Sequence, residues 1–537
     1  MPQNFIRGGD PGQGYLMSPD AREWLPPGHL AWALREQASQ LDISPFLAWY
    51  RADGQGRPAY HPASMVALVM YCYCKGIRSS RAIEMATFDD VGARVIMGNL
   101  HPDHSTVARF VSRHEGPVRG LLVQSLVACA REGLVSVDVV AGDGTKVKAN
   151  ASMAANVTAE RLDLDIAELE ALMAAEAAGW LEQARAADEA EDALFGDGDD
   201  GPGRGGGPGT LQRTADKLIR RQKAKARLDA GAAERQAQAE AERAEKIGKL
   251  EARAAARRAG AQRAEAAAAA KVADYQQRAA ARAAAGSAKG PDGRAPVPAG
   301  DSACVRKARH AAARAQQALA AAAAAPAVAA EPARPPSANA TDPSSRVMPG
   351  KRGGFLQAHN PQVVAGQHQV ILSIGTHDSP NDLTALHPAL QRTRANLDAA
   401  GISSRIGKAL FDAGYASHDN FTTASEAELY VAVTREARQT GRLRDGTQTA
   451  TAKPSWQQMA ARLDTPQGKA LYKRRSAMIE PVFAQLFARL GRDLNYRDTK
   501  VDLELHLWAT SHNLLKAIRA QLRRAAAAPA TRALPAC

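Results

Sequence analysis

The stretch Val139-Val140-Ala141-Gly142-Asp143-Gly144-Thr145-Lys146-Val147-Lys148-Ala149-Asn150 reads VVAGDGTKVKAN. The run LVSVDVVAGDG alternates and is Val-rich, the signature of a strand. This strand delivers one carboxylate between two glycines and follows it with two lysines. A turn-forming Asp-Gly explains the carboxylate taken alone. A second carboxylate in the same setting would change that.

The second is Asp412, at the end of the apolar run SRIGKALFDAGY, again followed by small residues, Ala413-Gly414. Between the two, GGFLQAHNPQVVAGQHQVILSIGTHD (353–378) reads as two strands joined by a tight turn near Gly366-Gln367. A helix follows at 381–400, then the Asp412 strand, the strand ELYVAVT at 428–434, a helix at 470–490 and a basic amphipathic helix in DLELHLWATSHNLLKAIRAQLRR. Strands interleaved with helices in this order make a mixed α/β domain. If the first and fourth strands are neighbours, Asp143 and Asp412 project from one end of the sheet, where α/β sites lie. Glu480, in KRRSAMIEPVFAQL, is a third acid on a helix beyond the last strand. Three converging carboxylates repel unless cations sit among them, and hard oxygen ligands select Mg²⁺ or Mn²⁺. Two such ions about 4 Å apart suit in-line phosphoryl transfer.

Charge points the same way. The 537 residues carry a net charge of +13 and a pI near 9.6, which favours a polyanionic partner, nucleic acid before a membrane surface. Cys72, Cys74, Cys129, Cys304 and Cys537 form no CxxC pair, so neither a disulfide framework nor a zinc site is expected, and Cys72 and Cys74 read as buried thiols. MPQNFIRGGD has no signal-peptide core, and no long run of large apolar residues spans a membrane, so a cytoplasmic, nucleoid-associated protein is expected.

Residues 1–133 read as short helices, with Ser79 and Ser105 as N-caps and Arg109 and Arg113 on a helix-turn-helix-like segment. His101, Asp103, His104 and His114 fit no metal-ligand spacing and read as a polar turn. From about 153 the chain turns to Ala, Glu, Arg and Lys, helical to 285 apart from the Gly-rich FGDGDDGPGRGGGPG, and then disordered over 286–340. This block interrupts the α/β domain between its first and second strands.

These segments together resemble the DDE transposases of bacterial insertion sequences, with an InsH-type helical N-terminal domain and an RNase H-like catalytic domain. The matching stretches are DGTKVKANAS (143–152), DPSSRVMPGKRGGFLQAHNPQVV (342–364), FDAGYAS (411–417) and YKRRSAMIEPVFAQL (472–486), with RPAYHP, YCYCKGIRSSRAIE and HPDHSTVARF in the helical part. The resemblance implies that Asp143, Asp412 and Glu480 are catalytic metal ligands, holding Mg²⁺ or Mn²⁺, and that the reaction is hydrolysis at element ends followed by strand transfer into target DNA. It implies a homodimer on paired ends, bound to double-stranded DNA carrying terminal inverted repeats. Arg474, Arg475 and Arg489 resemble the basic residues that accompany the family's Glu, although four residues rather than the frequent three separate Arg475 from Glu480. Lys146 and Lys148 are further candidates for phosphate, Asn360 and Gln362 for DNA or a metal-bound water, while Asp378 and Asp382 read as helix caps.

The expected organisation is a helical DNA-binding domain (1–133), the first catalytic strand (134–152), the insertion (153–340), the rest of the RNase H-like domain (341–523) and a disordered tail (524–537). Two other functions fit the same residues. A decayed or repurposed copy would bind ends without cutting, and a general RNase H-like nuclease would cut without needing them.

Overall fold

The computed structural model describes residues 20–50, 58–195, 209–285, 291, 294–329, 332, 335–350, 353–433 and 454–527. The Gly-rich linker at 196–208, the last residue of the strand expected at 428–434, and 528–537 of the expected tail lie outside them. Two units emerge, one of 1–156 with 339–537, the other of 157–338.

The first unit opens with helices α1 (Leu30–Ser39), α2 (Ser44–Leu47), α3 (Pro62–Cys74), α4 (Ser80–Asp89), α5 (Val91–Met97), α6 (His104–Arg113) and α7 (Glu115–Arg131). PASMVALVMYCYC has no polar face, so α3 is buried almost all round, Cys72 and Cys74 included. Ser79 caps α4. The expected cap of α6 is corrected: Asp103, not Ser105, accepts the Thr106 N–H at 2.9 Å, and Ser105 donates its hydroxyl to the same carboxylate. A charged acceptor at a helix N-terminus outcompetes a hydroxyl. The neighbouring histidines have separate tasks: His101 stacks on Phe88, His104 pairs with Glu84 at 2.8 Å, and His114 is buried against Phe110.

The sheet follows. Its strands are β1 (Val139–Gly144), β2 (Val147–Lys148), β5 (Arg346–Pro349), β6 (Phe355–Gly366), β7 (Ile371–His377), β8 (Lys408–Phe411) and β9 (Glu428–Val431). β1 lies between β6, antiparallel, and β8, parallel; β9 continues the parallel side beyond β8, and β7 pairs antiparallel with the other edge of β6. β2 and β5 extend the sheet along the first half of β6. Three antiparallel strands in a meander joined to two parallel ones is the RNase H-like arrangement, with helices on both faces.

Those faces explain why the strands read as unbroken apolar runs. Val139, Ala141, Val363, Ile374 and Leu410 face α14 (Pro466–Leu490), α15 (Lys500–Ala527) and the N-terminal helices in one core cluster. Val140, Val364, Leu372, Phe411 and Val431 face α11 (Leu386–Ala399) and α13 (Pro454–Asp464) in a second. A short α12 (His418–Thr422) lies between β8 and β9. The helical module and the sheet thus share one continuous core. α14 contains Pro481, which has no N–H to give the Ala477 carbonyl; Gln369, at the β6–β7 turn with φ of 60°, donates its side-chain amide instead at 3.2 Å.

The second unit holds α8 (Ala159–Phe195), α9 (Gly209–Ala284) and α10 (Ala303–Ala324), and a ladder of β3 (Asn156–Thr158) with β4 (Ser337–Asn339) marks where the insertion starts and ends. At 76 residues α9 runs about 114 Å. Two expectations are corrected. The 286–340 stretch is not disordered throughout, because the Ala-rich 303–324 segment has the highest helix propensity and packs on α9. The tail does not begin at 524, since α15 continues to Ala527. Among the described residues no helix is long and apolar enough to cross a membrane.

Candidate active site

Parallel pairing of β1 with β8 sets Ala141 opposite Leu410, so Asp143 and Asp412 leave adjacent strands at the same level. The small residues around them serve close packing. A Cβ on Gly142 would lie 2.1 Å from the Phe411 ring, and one on Gly144 would lie 2.4 Å from Gln362 Nε2 and 2.7 Å from Asp382 Oδ1. The two glycines flanking Asp143 are therefore required by neighbouring side chains.

α14 is fixed above this end of the sheet by the Tyr472 hydroxyl, which donates to the Phe411 carbonyl at 3.1 Å. One turn on, Arg475 Nη2 comes within 2.9 Å of Asp143 Oδ2 and 3.8 Å of Asp412 Oδ2. Arg475 Nε and Nη2 nonetheless make no aligned hydrogen bond, so the guanidinium compensates charge without locking onto either carboxylate. Burial pushes the Asp143 carboxyl up to about 6; Asp412 and Asp382 push in the same direction, against Arg475 and the Gly144 N–H. The pair is a place where negative charge is under-compensated.

Asn360 and Gln362, buried on β6, do not point at open space. Both donate to Asp382 Oδ1, at 2.8 and 2.7 Å, and Gln362 accepts from the Tyr415 hydroxyl. Asp382 is thus a member of the site that the sequence reading missed. Neither it nor Asp378 caps α11, whose N-cap position is Ala385 with no side-chain bond. Its signal in the sequence was the spacing of Asn360 and Gln362, two same-face amides on a strand that need a common acceptor.

Glu480 is placed differently. Five positions beyond Arg475 it is turned about 140° around the helix, and it is exposed. Among the described residues no three His, Cys, Asp or Glu side chains are arranged to hold a metal ion. The two aspartates still fit a hard divalent cation: they are adjacent oxygen donors, one of them raised in proton affinity by burial and by the other's charge.

Lys146 and Lys148 line a groove of about 680 Å³ with Gly350, Gly353, Leu356 and Arg492, running from the Asp143 strand; Lys148 is exposed and Lys146 half-buried. Arg474 is exposed beside Arg475. Arg489 is not with them: it lies half-buried farther along α14, near Cys74 and Arg519, with Nε and Nη2 unbonded and its basicity lowered by burial. Arg109 and Arg113 are exposed on α6, at the wall of a separate cavity of about 360 Å³ that includes Tyr50, Tyr60 and Phe110.

Residues 19–113 match a family described as a transposase domain (DUF772), and residues 345–514 match the transposase DDE domain. The second match includes Asp382, Asp412 and Glu480, while Asp143 lies between the two. No curated protein and no solved structure matches the chain. With a transposase domain in its helical part and a transposase DDE domain on its RNase H-like sheet, the chain belongs to the DDE transposases of insertion sequences, which act on DNA in transposition.

Proposed function

We propose that the chain binds the ends of its own element and catalyses divalent-metal-dependent phosphodiester hydrolysis followed by strand transfer. The observation that carries this is the pair Asp143 and Asp412, side by side on adjacent parallel strand ends beneath Arg475. Asp143 and Asp412 would hold Mg²⁺ or Mn²⁺, with Glu480 as the third ligand that the family resemblance implies. Such an ion, or two, supplies charge stabilisation and a reactive oxygen for in-line displacement at phosphorus.

The protein's own groups prepare the site. Gly142 and Gly144 let Phe411 and the Asp382 network press against β1, which fixes the Asp143 backbone. Arg475 holds compensating charge between the carboxylates, and with a divalent ion held by them its guanidinium would be free to meet a DNA phosphate. Lys146, Lys148 and Arg492 make the adjoining groove basic and suit it to the phosphate backbone. Arg109 and Arg113 of the 1–133 module are assigned to end binding, Arg474 to DNA beside the centre, and two copies to paired ends. Arg489 fits DNA contact least well, given its burial.

One observation favours a second reading, an end-binding protein that no longer cuts: Glu480 is exposed, and among the described residues it forms no metal-holding group with the aspartates. Labelled duplexes carrying the element's end, incubated with Mg²⁺, Mn²⁺ or EDTA, separate the two. Metal-dependent nicking at the end, abolished by Asp143→Asn and by Glu480→Gln, supports the proposal. Specific binding without nicking supports the second reading, and equal nicking of random duplex points to a general nuclease.

A further inference from the structure

We infer that Asp382 is a positioning residue of the Asp143–Asp412 centre, a further carboxylate whose charge draws the divalent cation in. The inference rests on the reading above that this pair holds such an ion.

Two observations place Asp382 there. Its Oδ1 is held by two buried amides from same-face positions of β6, Asn360 and Gln362, and Gln362 is held in turn by Tyr415, three residues beyond Asp412. The network therefore ties β6 and the segment after β8 to one carboxylate, and in register Gln362 lies opposite Gly144, next to Asp143. Second, the two backbone positions that border the Asp382 carboxylate are both glycine. A Cβ on Gly144 would meet Asp382 Oδ1 at 2.7 Å, and one on Gly414 would meet Asp412 Oδ1 at 3.0 Å and Asp382 Oδ2 at 3.5 Å. Both aspartate oxygens thus lie beside the same point, and Oδ2 accepts no hydrogen bond among the described residues.

A role confined to hydrogen bonding would not need that charge. An asparagine at 382 would keep an oxygen for the two amides and would relieve repulsion among the three acids. Three carboxylates against the single Arg475 guanidinium favour a further cation at this point.

The test is a Mn²⁺ titration followed by the spectrum of the free ion, on the full chain and on Asp382→Asn, Asp382→Glu and Asp143→Asn. Urea midpoints are measured alongside in EDTA. The expected result is Mn²⁺ binding weakened about 10-fold or more in Asp382→Asn, with an unchanged or higher midpoint in EDTA and part of the affinity restored in Asp382→Glu. Unchanged affinity in Asp382→Asn, with binding lost in Asp143→Asn, overturns the inference and leaves the centre standing. A lowered midpoint in EDTA accompanying the lost affinity overturns it in favour of a structural role. No Mn²⁺ binding by the parent, or none lost in Asp143→Asn, removes the reading beneath it.

Discussion

Asp143 shows how much a single strand end constrains its neighbours. The space beside its two glycines is filled by the Phe411 ring on one side and the Asp382 network on the other. Gly142→Ala should therefore destabilise the protein by about 1–3 kcal/mol through overpacking, visible as a lower urea midpoint at constant slope. A parent-like midpoint would mean that Phe411 has space to move. The carboxylate itself titrates near 6 in the fold against 3.8 as a free group, so the folded state binds the proton more tightly. Stability contributed by that proton is lost as pH rises between those values, and the ionised form then costs up to about 3 kcal/mol in the absence of metal. Asp143→Asn should be more stable than the parent in EDTA at about pH 8, with the difference closing below about pH 4, as read by denaturation across pH. A difference independent of pH would remove the assigned titration.

At the scale of elements, the strands were legible because each is a short apolar run ended by a glycine, a turn or a carboxylate, and both sheet faces are covered. Val139–Gly144, Phe355–Gly366, Ile371–His377 and Lys408–Phe411 could all be read from such runs. For Asp382 only the need of Asn360 and Gln362 for an acceptor was legible, because which acid meets two amides some twenty residues upstream is decided by the fold. The α10 segment was hidden for the opposite reason: its Ala and Pro surroundings resemble disorder by composition, while Ala repeated over several turns favours helix. The position of Glu480 on α14 was also beyond the sequence, since a helix fixes spacing but not which face meets the sheet. That face is set by Tyr472 and Arg475. Tyr472→Phe removes one hydrogen bond, worth about 1 kcal/mol, and by freeing α14 over Phe411 should slow single-turnover cleavage more than it weakens DNA binding. Parallel losses in both would contradict this.

Across the first unit, the helical N-terminal module is bound to the RNase H-like sheet through buried charge as well as apolar packing. Arg78, just before α4, reaches Glu504 on α15 at 3.2 Å and the Asp493 carbonyl at 2.6 Å. Glu504 is fully buried and accepts two backbone N–H groups, from Asn495 and Tyr496. Burial pushes its carboxyl upward, so losing the guanidinium leaves an uncompensated acid. Arg78→Ala should cost about 3 kcal/mol, and Arg78→Ala with Glu504→Gln should recover part of it. Additive losses in the double variant would show that the two side chains act independently.

If Asp143 and Asp412 hold the ion, the reacting centre lies at the C-terminal ends of β1 and β8. Replacing Mg²⁺ with Fe²⁺ and generating hydroxyl radicals from it cuts the backbone near the bound ion, and the cut sites can be mapped along the chain. Cuts are expected to cluster at 143–145 and 411–415 and to be lost in Asp143→Asn, with any cut near 382 or 480 showing which acid stands closest to the metal. Cuts confined to other parts of the chain, or an unchanged pattern in Asp143→Asn, would contradict that placement.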